Sequence, residues 1–113
     1  MADVIYINEE EGKKRVMNNS KLYAKLLTKF KTDTNLNDLK AYVEVQDWEK
    51  AQAAAHTIKG IAANLSFTEL FNQALDVEIQ AKGQSLKPET LESLNQCFIE
   101  TLAAVDEVIA KYA

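Results

Sequence analysis

The sequence predicts an all-α fold, an antiparallel up-down four-helix bundle capped by a short N-terminal helix. Three observations lead there. Apolar residues recur at three- and four-residue intervals through most of the chain, and no useful length alternates as a half-buried strand does. Only three glycines and one proline interrupt 113 residues that are 47% hydrophobic and 27% charged, a balance typical of folded, helix-rich chains. The interruptions are short, and short connections force sequential helices to run antiparallel. A single domain over residues 1–113 holds the whole pattern, with the short helix at about 8–18 and the bundle at about 20–112. A chain of this length buries roughly two-thirds of its unfolded surface and needs no staples.

Taken in order, the first helix starts at Asn8, an N-cap residue, followed by Glu9, Glu10 and Glu11, whose charges suit a helix N-terminus. It is short enough to act as a lid. The second, about 20–32, carries Leu22, Tyr23, Leu26, Leu27 and Phe30, and the third, about 35–46, carries Leu36, Leu39 and Val43. Thr32-Asp33-Thr34-Asn35 is a kink or tight connection between them, with Thr34 as cap, and the two helices together make one strut. The fourth helix follows the N-cap Asp47 and runs from Trp48 to about Leu65. Ser66-Phe67-Thr68-Glu69 has the pattern of a capping box for the fifth, which runs to about Lys82 and stops at Gly83. The sixth begins near Pro88 and keeps a bundle seam through Leu91, Leu94, Phe98, Thr101, Val105, Val108 and Tyr112. Trp48, Phe67, Phe71 and Phe98 are expected in the core.

Several function classes drop out on composition. A net charge of −4 and a pI near 5.0 argue against a nucleic-acid backbone or an anionic membrane as partner. The start of the chain lacks the basic and apolar regions of a signal peptide, and no apolar run approaches the roughly 18 residues of a membrane span. A cytoplasmic, monomeric protein is the expectation, and the initiating methionine and length fit a free-standing chain without excluding a domain of a longer one. Cys97 is alone, within a helical pattern, and is expected to pack rather than react. No glycine-rich phosphate loop or nucleotide motif supports a kinase or phosphatase. With one histidine, a di-metal bundle built on paired Glu-x-x-His motifs is excluded, and no metal site is expected.

That histidine is where the chain becomes specific. Ala51, Ala55, Ile58, Ala62 and Leu65 form the apolar stripe of the fourth helix, and His56 falls about 135° from the stripe's centre, so its ring points outward. Lys59 lies one turn along on the same side. Gly60, four residues on, removes the side chain that would crowd the ring, and a helical glycine costs about 1 kcal/mol relative to alanine, so it asks for a reason. In the fifth helix the stripe is Phe67, Leu70, Phe71, Ala74, Val77 and Ala81, and Glu78 falls inside it, where a carboxylate needs a partner. Across a hairpin turning near Ser66, His56 and Glu78 lie at the same height to within about 3 Å. A carboxylate accepting from Nδ1–H would leave Nε2 with the lone pair as nucleophile, and Lys59 and Lys82 would offer positive charge to the anion it acquires.

Ala55-His56-Thr57-Ile58-Lys59-Gly60, followed by Ala62-Ala63-Asn64-Leu65 and by Leu70, Ala74 and Glu78, resembles the histidine-containing phosphotransfer (HPt) domain of two-component phosphorelays. Leu22-Tyr23, Leu26-Leu27, Phe30, Leu36, Leu39 and Asp47 continue the likeness upstream, so that it covers about residues 7–111. The resemblance implies that His56 carries a phosphoryl group on Nε2 and exchanges it with the aspartate of a response-regulator receiver domain. That receiver, of a hybrid histidine kinase or a downstream regulator, would hold the Mg²⁺; this chain would need no cofactor and have no catalysis of its own. Lys59 would stabilise the phosphoryl group, Glu78 would orient the ring, Lys82 would add charge, and Gly60 and Ala63 would give clearance and docking surface. The family often has glycine at the position of Ser66. The alternative is a helical adaptor that keeps the fold without being phosphorylated.

Overall fold

The computed structural model describes residues 5–112, so the reading of Met1–Val4 as lacking a leader lies outside the described residues. Six helices follow in order: α1 (Glu9–Lys14), α2 (Ser20–Phe30), α3 (Asn35–Glu44), α4 (Trp48–Leu65), α5 (Thr68–Lys82) and α6 (Pro88–Tyr112). No strand occurs among the described residues. Helix α1 is shorter than expected because Met17 and Asn18 are both left-handed (φ 56° and 58°), which no continuing α-helix allows.

The all-α fold closes by pairwise packing, with α3 on α4, α4 on α5, α5 on α6 and α2 on α6. Lys31 pairs with Asp106 at 2.6 Å and Lys40 Nζ donates to Asn95 Oδ1 at 2.6 Å, so the strut of α2 and α3 runs opposite to α6. Gln80 braces the α5–α6 turn, donating to Thr90 Oγ1 and accepting from the Lys87 amide, both at 2.9 Å. The centre is filled by Tyr23, Leu27, Leu39, Ile58, Phe67, Leu70, Val77, Leu94 and Val105. The Phe30 ring sits 4.8 Å from that of Phe67 and 5.2 Å from that of Phe98, centre to centre. Thr101 fits this apolar seam because its hydroxyl donates to the Cys97 carbonyl one turn back, at 2.7 Å. Cys97 is buried, and burial pushes its thiol pKa up to about 11, as expected of a packing residue. Trp48 and Phe71, expected in the core, are only half-buried.

Two caps differ from expectation. Ser66 does not open a capping box; it closes α4 in the left-handed conformation (φ 61°, ψ 42°), its amide bonded to the Ala62 carbonyl. Phe67 is the N-cap residue of α5, which puts Glu69 at the second helical position instead of the third that a box requires. Glu69 accepts from Gln73 instead, and Ser66 Oγ accepts from the Arg15 guanidinium. Thr34 holds its N-cap position without capping; Asp33 Oδ2 takes the Asn35 amide at 3.0 Å. Asn8 and Asp47 cap α1 and α4 as read.

Helix α1 is pinned at both sides. The Asn8 amide donates to the Ser66 carbonyl at 2.8 Å, while Glu9 accepts from Lys111 at 2.8 Å and from the Tyr112 hydroxyl. Gly12 lies flat on the buried Tyr23 ring, so close that a Cβ there would meet the hydroxyl at 2.5 Å. Tyr23 donates its hydroxyl to the Leu65 carbonyl at 3.0 Å, and burial pushes its pKa up to about 12. The end of α4 is thus tied to α1 and α2, which fixes the histidine helix in the bundle.

Candidate functional site

His56 stands on the outer face of α4, with 67% of its side chain exposed, while Ala55 and Ile58 beside it are buried. The orientation follows from the stripe: residues that point into the bundle leave position 56 no choice but solvent. Glu78 reaches it from α5, its Oε2 2.8 Å from His56 Nδ1. That contact requires α4 and α5 to be antiparallel about the Ser66 turn, as the hairpin register predicts. A carboxylate can only accept, so Nδ1 carries the proton, and in the neutral ring Nε2 holds the lone pair. Nε2 makes no hydrogen bond among the described residues.

Glu78 is also the partner of Lys59, whose Nζ lies 2.6 Å from Oε1. Only 15% of the Glu78 side chain is exposed. Burial alone would raise its pKa, but the hydrogen bonds from Lys59 and then His56 outweigh it, and the carboxyl is held below its usual range. The requirement that a rim carboxylate find a partner is met twice over.

The structure therefore brings His56, Lys59 and Glu78 into one contact set. Gly60 adjoins it on open surface: a Cβ built there finds no atom within 4 Å. Ala63, one turn beyond Lys59, is half-buried. Lys82 is exposed in the last turn of α5 and makes no ion pair among the described residues. A groove of about 740 Å³ opens elsewhere, over Val16, Leu26, Phe30, Ile61 and Leu65, and none of these six candidate residues lines it. The imidazole thus lies outside that groove, exposed on the outer face of α4. Sequence reasoning missed the Lys59–Glu78 pair, although the register that joins positions 56 and 78 puts 59 only about one turn away.

The site so defined is one oriented imidazole presented on an exposed helix face of an all-α fold. The Hpt domain family matches residues 25–109, and the chain belongs to that family, whose members carry phosphoryl groups in two-component signalling. No curated protein and no solved structure gave a match. Among the described residues no helix is long and apolar enough to cross a membrane, and no cluster of metal-ligating side chains occurs.

Proposed function

We propose that this protein is a phosphorelay carrier that accepts a phosphoryl group on His56 Nε2 and exchanges it with the aspartate of a response-regulator receiver domain. The observation that carries the reading is the 2.8 Å contact of Nδ1 with Glu78, which directs the lone pair to the exposed nitrogen. In the forward step Nε2 attacks phosphorus, the bond from phosphorus to the aspartyl oxygen breaks, and its electron pair leaves on the receiver carboxylate. Nδ1 keeps its proton throughout, and Glu78 balances the positive charge that the ring acquires. The receiver supplies the Mg²⁺ and the in-line geometry, so the carrier contributes a nucleophile and a docking face. Lys59 and Lys82 stabilise the transferred group, and Gly60 and Ala63 leave room for the receiver to approach.

Phosphoramidate, a small donor, tests the site without a partner. The protein should acquire an acid-labile, base-stable phosphate, and His56→Gln should acquire none while its circular dichroism spectrum and melting temperature stay those of the wild type, because the ring contributes little burial. Label that persists on the His56→Gln protein would move the site elsewhere. The absence of label on the wild type would favour the adaptor alternative.

A further inference from the structure

Lys59 is assigned to the phosphoryl group by the reading above, yet in the structure its ammonium is already held by Glu78 Oε1 at 2.6 Å. We infer that Lys59 and Glu78 form an exchange pair, in which the carboxylate keeps the ammonium in the uncharged protein and yields it to the phosphoryl oxygens once His56 is phosphorylated. The inference rests on the phosphocarrier reading and adds to it how the site changes state.

The two oxygens of Glu78 have separable tasks. Oε2 accepts from Nδ1 and must stay if the ring is to keep its direction; Oε1 has Lys59 alone and can give it up. Lys59 follows His56 by three residues on one helix, so the two side chains share a face, and its flexible four-carbon stem moves the ammonium without moving α4. A phosphoryl dianion carries more charge than a carboxylate and draws the ammonium across. The uncharged site consequently shows solvent no bare cation next to its nucleophile. The charged site leaves Oε1 unpartnered beside a dianion, which raises the tendency of His56 to give the phosphoryl group away.

The test is the ratio of phosphorylated to free His56 at a fixed ratio of phosphoramidate to ammonia, ammonia being the leaving group of that reaction. It is measured for the wild type, Glu78→Gln, Lys59→Met and the double variant. Glutamine keeps a carbonyl oxygen for Nδ1–H but neither holds the ammonium nor balances the ring's charge; the second loss is common to both backgrounds, so the effect of Glu78→Gln on the ratio should be roughly 5-fold more favourable with Lys59 present than without it. In the Lys59→Met background the same change at 78 has no ammonium to release and should show none of that gain. An equal effect in both backgrounds would overturn the exchange pair and leave the carrier reading standing; no phosphohistidine on the wild type would overturn both. A second measurement needs no variant: the Lys59 Nζ nitrogen resonance should shift on phosphorylation of the wild type, and a fixed resonance would also overturn the exchange.

Discussion

Gly12→Ala and Gly60→Ala are the same chemical change with opposite expected signs. At Gly60 the added methyl finds no heavy atom within 4 Å, so only the helix-propensity gain remains, about 1 kcal/mol of added stability. At Gly12 the methyl carbon would lie 2.5 Å from the Tyr23 hydroxyl and 2.6 Å from two ring carbons. That ring is fully buried and bonded through its hydroxyl to the Leu65 carbonyl, so displacing it is costly. It or α1 has to move by about 1 Å to restore ordinary contact at ~3.5 Å, and overpacking of this kind costs about 1–3 kcal/mol, more than the propensity gain returns. The two variants should therefore differ by about 2 kcal/mol. For a domain of this size that separates their melting temperatures by roughly 8–10 °C, read by circular dichroism or calorimetry, with wild type between them. Two variants that shift in the same direction would refute the steric account of one glycine or the open-space account of the other.

Other expectations follow from the same geometry. Gly60→Gln should melt no lower than wild type and react normally with phosphoramidate, yet exchange phosphate with a receiver at least ~10-fold more slowly; normal exchange would mean that Gly60 is not a docking position. Glu9 is held below the usual carboxylate range by its hydrogen bonds from Lys111 and Tyr112, and Glu78 by those from Lys59 and His56 against its burial. Both favour the ionised form when folded, so their contribution is full above the ordinary value near 4.5 and is lost as pH falls through the lowered one. The melting temperature should accordingly drop on acidification below that value, and the drop should be shallower in a Glu9→Gln, Glu78→Gln double variant. Gln84 is exposed with a φ of 61°, so Gln84→Gly should relieve left-handed strain and stabilise the fold by about 1 kcal/mol in a denaturant titration.

The helices and the histidine were legible because both follow from periodicity. One angle per residue tells which side chains face the bundle, and an imidazole opposite the stripe has to be exposed. The partner of that imidazole was legible too, from equal counts on either side of a turn. What periodicity does not encode is which atom of a side chain goes where. Ser66 and Glu69 have capping-box chemistry, but a single left-handed residue moved the helix start to Phe67, and the serine hydroxyl went to Arg15, which is 51 residues away. Lys59 was placed on the correct face but without its carboxylate. Gly12 was passed over although it sits in a helix as Gly60 does; the same question of why a helix tolerates glycine would have pointed to a close neighbour, though not to Tyr23.

The Glu9 clasp on Lys111 and Tyr112 has a consequence for handling the molecule. It brings positions 9 and 111 of the chain together at the Ser66 end of the bundle, while His56 stands ten residues, or about 15 Å, farther along α4. A reporter domain, an affinity tag or a surface tether joined on either side of the bundle would leave from that one pole. The imidazole would still face bulk solvent, so immobilised protein could be interrogated by soluble receivers in either attachment. A short peptide joining the two sides, with the chain reopened at the exposed Gly83–Ser85 turn, would give a permuted bundle whose α4–α5 hairpin, and with it the whole contact set around His56, stays covalently continuous.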